Sequence, residues 1–392
     1  MEYIKLGAIC DVINGYAFKS KKYSTSGVRI IRITNVQKGY VEDASPVYYP
    51  LNTINELKKY ILYSGDLLIS LTGNVGRVAI LDKKYLPAFL NQRVACIRPK
   101  SDKILKEYLF YMLNTNLFEV KSINSSKGIA QKNISTEWLK NYVVPLPSIE
   151  IQQHLISILK KLEKAVRNKK HELRALDKLV KARFVEMFGD PVLNSKKYPE
   201  KALENYINFI TSGSRGWAKY LTPKGKAWFL TIKNVKNSHI VINNIQSVEP
   251  PDSKEAQRTK VKEGDLLISI TADLGRTGVV SSDIASHGTY INQHLTCIRL
   301  NTEFINPVYA SYFLETVAGK RQFNSKNQNG VKAGLNFDAI KSLKIIIPPI
   351  KRQNSFVSFV EQVDKSKFEN IVYLNKTLSS KILSQIGDVI RD

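Results

Sequence analysis

A chain of 392 residues with 43% hydrophobic residues can build two or three domains with proper cores and is too apolar to remain disordered. Its formal charge of +25 is the unusual figure, and most of the excess lies in residues 1–148 and 189–348, the distribution expected of two polyanion-binding domains joined by a spacer. Three distant cysteines and five scattered histidines exclude a disulfide framework and a zinc-ligand spacing, and no apolar run approaches the roughly 20 residues that span a bilayer, so a cytoplasmic protein without membrane contact is expected.

The first 148 residues alternate short β-branched runs with turn residues. Val28 to Ile33, Leu67 to Leu71, Val78 to Leu81 and Val94 to Ile97 predict strands, and Gly65-Asp66 predicts a tight turn feeding a buried one. Few helices and long loops separate them, so the block is mixed α/β, with Cys96 as small apolar filling in a strand.

Between Pro145-Leu146-Pro147 and Gly189-Asp190-Pro191 no proline or glycine interrupts about forty residues. Within 149–188, Leu155, Leu159, Leu162, Val166, Leu173, Leu176, Val180 and Met187 fall on three- and four-residue steps, with Lys169 and Arg183 at the remaining seam positions. At about 1.5 Å per residue such a helix is roughly 60 Å long, too long to bury itself in one globule. It requires a partner helix.

The next block repeats the first. GDLLISLTGNVGR at 65–77 returns as GDLLISITADLGR at 264–276, RIIRITNV at 29–36 as WFLTIKNV at 228–235, and NQRVACIR at 91–98 as NQHLTCIR at 292–299. The helix start YLFYML at 108–113 matches YASYFL at 309–314, and the offset stays between 199 and 202. These are colinear copies. The strands predicted from the second are Trp228 to Ile232, Leu266 to Ile270, Gly278 to Ser281 and Leu295 to Ile298, with Cys297 in the place of Cys96. After Pro348-Pro349 a second proline-free stretch carries a less regular stripe of Phe356, Val360, Val363, Ile371, Leu374, Leu378, Ile382, Ile386 and Val389, its register slipping between Lys367 and Ile371 and again after Leu378.

The expected architecture is α+β: domain 1–148, long helix 149–188, domain 189–348 and long helix 349–392, the helices packed as an antiparallel coiled coil with pseudo-two-fold symmetry. A two-fold protein presents its readers to two opposed half-sites on DNA, at a distance that the rod fixes. Domains of different sequence should read different half-sites.

This order of domain, long helix, domain, long helix resembles the specificity subunit of type I restriction-modification enzymes along the whole chain. The resemblance rests on GDLLIS and the following Gly-Arg in both copies, on Asn91-Gln92 and Asn292-Gln293, and on Gly128 and Gly330. The junctions Pro147-Ser148-Ile149-Glu150-Ile151-Gln152 and Pro348-Pro349-Ile350-Lys351-Arg352-Gln353 complete it, the second having Lys351 and Arg352 where the family commonly has an acidic residue. It implies two target recognition domains, double-stranded DNA as ligand, two methyltransferase subunits and, for cleavage, restriction subunits as partners, with S-adenosylmethionine on the methyltransferase and no cofactor on this chain. The other readings are a stand-alone or regulatory DNA-binding protein without methyltransferase partners and a specificity subunit of another restriction class.

No catalytic site of its own is expected. Pro250-Pro251 and Pro348-Pro349 lack the Asn/Asp-Pro-Pro-aromatic context that an adenine methyltransferase needs, and Pro251-Asp252 has no acidic-x-Lys partner at nuclease spacing. The DNA-reading candidates fall in three pairs of segments: Lys19, Lys21 and Lys22 with Arg215, Trp217 and Lys219; Lys127, Gln131 and Lys132 with Lys326, Gln328 and Lys332; and Arg77 and Arg93 with Arg276 and His294. Glycines beside them let backbone approach phosphate, while Arg, Lys, Gln and Asn carry groups that match base edges. Domains that read different sequences should differ where they read. Arg77, Arg276, Gln92 and Gln293, shared by the copies, are therefore expected to hold the fold or phosphate, and Lys19, Lys127, Gln131, Arg215, Trp217 and Gln328 to read bases.

Overall fold

The computed structural model describes residues 2–126, 133–327 and 334–391, except for the side chains of 374–391. The contacts divide the chain into two compact units, Met1–Asn168 with Leu374–Asp392, and Lys169–Tyr373. The fold class is the expected one, with both domains of mixed type and each followed by a long helix, Ile149–Phe188 and Ile350–Arg391.

In unit 1 a mixed-polarity four-stranded sheet runs in the order Tyr48–Tyr49, Val28–Ile31, Ala88–Leu90, Ile61–Leu62, and an antiparallel one in the order Cys10–Asn14, Val94–Pro99, Leu67–Ser70, Val78–Ile80. A ribbon of Glu2–Lys5 against Val143–Leu146 ties the start of the domain to its last strand. Leu67, Leu68 and Ile69 are completely buried because the central strand is covered on both faces. Unit 2 repeats the antiparallel sheet as Ile207–Ser212, Leu295–Leu300, Leu266–Ser269, Thr277–Val279, and the ribbon as Glu200–Ala202 against Lys344–Ile346. Among the described residues the counterpart of the mixed sheet has three strands, Gln246–Val248, Ala227–Leu230 and Tyr290–Ile291.

Local sequence explains the matching helices. Thr115 and Thr316 cap Asn116–Asn124 and Val317–Ser325, accepting from Phe118 N and Gly319 N, and Ser135 and Asn336 do the same for Thr136–Asn141 and Phe337–Lys341. The first long helix ends where Gly189 turns left-handed, at φ 82°, and Lys196 donates to the carbonyls of Glu186 and Met187.

The buried glutamine at the start of each long helix fastens it to its own domain. Gln152 Oε1 accepts from Leu105 N at 2.8 Å, and its Nε2 donates to the carbonyls of Lys103 and Pro147. Gln353 repeats the pattern with Asn306 N, Phe304 O and Pro348 O. Glu150, Lys351 and Arg352 beside them are exposed, and Arg352 Nε donates to Met187 O at 3.1 Å.

Within unit 2 the two long helices run antiparallel. Phe356 meets Phe184 and Phe188, Lys367 pairs with Asp177, and Lys169 donates to Asn370 and lies over Tyr373. The seam departs from the expected stripe: Ile371 is 45% exposed, while the half-buried Lys367 and Asn370 take the inner positions, because Asp177 and Lys169 opposite them select polar partners. Leu374, Leu378, Ile382, Ile386 and Val389 lie outside the residues whose side chains are described.

All three cysteines are buried, Cys96 and Cys297 in equivalent strands. Burial pushes the Cys10 thiol up to about 12 and those of Cys96 and Cys297 further. Native protein should therefore react with a thiol-specific disulfide reagent only as fast as it opens, and stopped-flow labelling with and without urea reads this; prompt labelling of one thiol in native protein would contradict it.

The hairpin at Val235–Ile240 carries His239 to the second long helix. His239 Nε2 lies 2.7 Å from Asp364 Oδ2 and Nδ1 lies 2.7 Å from Asn237 O, so a ring protonated at both nitrogens satisfies both acceptors. The Asp364 hydrogen bond raises the His239 pKa above 6.5. Burial pushes Asp364 up, but His239 and Lys367 together outweigh it and hold its pKa below 3.8. Tyr312 and Asp177 complete the surroundings. The His239 contribution is complete below 6.5 and fades as pH rises through its raised pKa; the Asp364 contribution is complete above 3.8 and fades as pH falls through its lowered one. The melting temperature of His239→Asn should thus fall furthest below wild type between about pH 4 and 6.5 and converge on it at pH 9. A difference independent of pH would contradict the ion pair.

Candidate nucleic-acid interface

In each unit the segment after the first strand of the antiparallel sheet folds onto the Asn-Gln turn. Tyr16 N donates to Leu90 O at 2.9 Å and Gln92 N returns a bond to Tyr16 O at 2.9 Å; Ser214 N to Ile291 O and Gln293 N to Ser214 O repeat this at 2.9 and 3.0 Å. The approach requires glycine. A Cβ on Gly15 would stand 2.1 Å from Asn91 O, and one on Gly213 2.1 Å from Asn292 O.

The asparagine also shapes its own turn. Asn91 Oδ1 accepts from Arg93 N, and Asn292 Oδ1 from His294 N, both at 3.2 Å. Leu71 N then donates to Arg93 O and Ile270 N to His294 O, while Ile134 N and Leu335 N donate to Leu71 O and Ile270 O. About the strand end at Leu71 or Ile270, three further segments far apart in sequence therefore converge in each unit: the loop after the first strand, the Asn-Gln turn, and the stretch entering the helix at 136 or 337.

Other repeated residues, none of them among the DNA-reading candidates, brace this arrangement. Asp66 takes Nε and Nη2 of Arg98 at 2.9 and 2.6 Å and Tyr63 N; Asp265 takes those of Arg299, both at 2.8 Å, and Lys262 N. Asp265 is completely buried, so Glu263-Gly264-Asp265 supplies a structural carboxylate. Ser70 and Ser269 accept from Arg77 N and Arg276 N and donate to the carbonyls of Asn74 and Asp273, closing the Gly-Arg loops. Asn35 and Asn234 hold the turns that follow Val28–Ile31 and Ala227–Leu230 through Arg32 N and Thr231 N. The visible signal is identity between the copies, because a residue repeated in two domains of otherwise different sequence serves the fold that they share.

The candidates separate on this frame. Lys19, Lys21, Lys22, Arg93, Arg215 and Lys219 are exposed, with Lys19 to Lys22 on the short turn that follows Phe18 and Lys219 over the Tyr220 ring. Arg77 donates to Gln37 Oε1 at 2.6 Å and Arg276 pairs with Asp273, so both are engaged within the protein. His294 Nδ1 lies 2.9 Å from Thr271 Oγ1. Lys326 donates to Ser342 Oγ at 2.8 Å. Trp217 departs from the reading role expected of it: the indole is 3% exposed, stacks on Phe229 at 5.7 Å and donates to Glu255 Oε2, so neither ring face nor N–H is free for a base. Lys127, Gln131, Lys132, Gln328 and Lys332 lie outside the described residues. Among the described residues no group of three or more His, Cys, Asp or Glu could hold a metal, and no helix is long and apolar enough to cross a membrane.

Comparison with known proteins agrees with this duplicated frame. The EcoBI specificity subunit of Escherichia coli is 24% identical over 388 residues, covering 92% of this chain and 78% of the relative. The putative MjaX specificity subunit of Methanocaldococcus jannaschii is 25% identical over 394 residues, covering 93% and 86%. Among solved structures, the type I restriction-modification S subunit of M. genitalium superposes with a TM-score of 0.55 at 14% identity, over 96% of this chain and 92% of that one, which shows a shared fold. The family model described as the type I restriction modification DNA specificity domain matches twice, at residues 1–178 and 197–379, and with nearly the whole chain so covered, this protein belongs to that family of DNA specificity subunits.

Proposed function

We propose that each unit reads one half of a split, asymmetric site on double-stranded DNA, and that the two long helices set the spacing between the halves and dock two methyltransferase subunits, which restriction subunits join for cleavage. The chain contributes recognition without chemistry, and S-adenosylmethionine is held by the methyltransferase. The observation that carries this reading is the clamp that holds three segments together in both units by the same backbone bonds while the side chains on it differ: exposed Lys19, Lys21, Lys22 and Arg93 in one, exposed Arg215 and Lys219 with half-buried His294 in the other. A constant frame bearing variable donors suits two readers of different sequence.

The formal charge of +25 supports raw affinity through phosphate contacts, which release counterions and fall steeply with salt. Specificity then rests on base contacts worth roughly 1–3 kcal/mol per base pair. Arg215→Ala is expected to relax or weaken one half-site and leave the other unchanged, as read by mapping methylated sites in cells that carry the variant with its methyltransferase. Equal loss at both halves would contradict separate readers. Deleting one heptad from 149–188 supplies the matching test of the spacer, since it should change the permitted spacing and neither half-site.

A further inference from the structure

Positions 93 and 294 occupy one backbone frame. In each, the residue's N–H is held by the preceding asparagine at 3.2 Å, and its carbonyl accepts from Leu71 or Ile270 at 2.9 and 3.0 Å. The residue before it is bonded to the loop after the first strand, and the residue after it begins the buried strand at Val94 or Leu295. Only the side chain differs. Arg93 is exposed where the three segments converge, and among the described residues its guanidinium has no hydrogen-bond or ion-pair partner. The other arginines of residues 1–148 are all engaged: Arg77 with Gln37, Arg98 with Asp66, Arg29 with Asp43 and Arg32 with Ser45. His294 is half-buried and tethered through Nδ1 to Thr271, leaving Nε2 beside the Gln293 amide.

A guanidinium presents two parallel N–H donors, which match O6 and N7 of guanine in the major groove; a tethered imidazole cannot form that fork. We infer that Arg93 is a specificity-determining residue of unit 1, taking a guanine in the half-site that this unit reads, and that unit 2 makes no such contact from position 294. The inference rests on the reading of each unit as a half-site reader. It assigns one base class to one side chain, on a backbone that both copies hold alike.

The test is a map of methylated sites in cells carrying the wild-type chain, Arg93→Ala, Arg93→His or Arg93→Lys with the methyltransferase. The wild-type motif should contain a guanine, on one strand or the other, in the half that unit 1 reads. Arg93→Ala and Arg93→His should lower discrimination at that one position roughly ten- to a hundred-fold, and Arg93→Lys should lower it too, because the charge survives but the fork does not. The other half-site remains intact in every variant, which reports a folded and active subunit. A wild-type half-site without guanine overturns the inference, as does a uniform fall in methylation with every letter of the motif unchanged, the mark of a phosphate contact. Both leave the two-reader account standing. A motif that persists when the chain is deleted defeats that account itself.

Discussion

Phe356→Ala should destabilise unit 2 by about 3–5 kcal/mol, the range for removing a large aromatic ring from a packed core. The ring is completely buried and meets Phe184 at 5.4 Å, Phe188 at 5.6 Å and Tyr312 at 5.4 Å, each nearly edge to face. Phe184 and Phe188 belong to the first long helix and Tyr312 to the recognition domain, so one side chain joins three elements. Edge-to-face pairs add to the stability gained by burial. Urea denaturation followed by far-ultraviolet circular dichroism checks this, with Phe368→Ala as the control. Phe368 lies on the same helix but is 66% exposed, and its loss should change stability by no more than about 0.5 kcal/mol. Equal effects from the two substitutions would mean that the helices do not pack through Phe356.

Gly213→Ala should remove recognition by unit 2 and spare unit 1. Its added methyl group would stand 2.1 Å from Asn292 O, which Leu295 N holds in its turn, and 2.4 Å from Ile291 O at the end of a buried strand, so the loop must move away. Overpacking of this kind costs about 1–3 kcal/mol, and here the displacement also breaks the pair of bonds between Ser214 and the turn at 291–293. Arg215, next in the chain, loses its position with them. Gly15→Ala makes the same clash against Asn91 and should remove the opposite half-site. The two variants are thus mirror images, and methylation mapping of both should show complementary losses. Unaltered motifs in both would show that the loop does not depend on the close approach.

The parts of this structure that were legible in the sequence are those with long-range order in the pattern. The uninterrupted stretch at 149–188 gave the first long helix, and colinear repeats gave the two domains, because every strand that packs both faces must keep its apolar run. The missing parts are those set by tertiary partners. Trp217 stands in a loop rich in glycine and basic residues, yet Phe229, Tyr220 and Tyr290 close around it, and no local spacing predicts that. Ile371 continues a stripe on paper but faces outward, since Lys169 and Asp177 draw Asn370 and Lys367 into the seam. Arg77 and Arg276 look alike in the repeat and are engaged differently, with Gln37 in one unit and Asp273 in the other.

The most direct test of the account is a genome-wide map of methylated adenines in cells carrying this chain with its methyltransferase, compared with cells from which the chain is deleted. The account predicts a two-part asymmetric motif with a fixed spacer that disappears on deletion. A methylation pattern that is unchanged without the chain would contradict it.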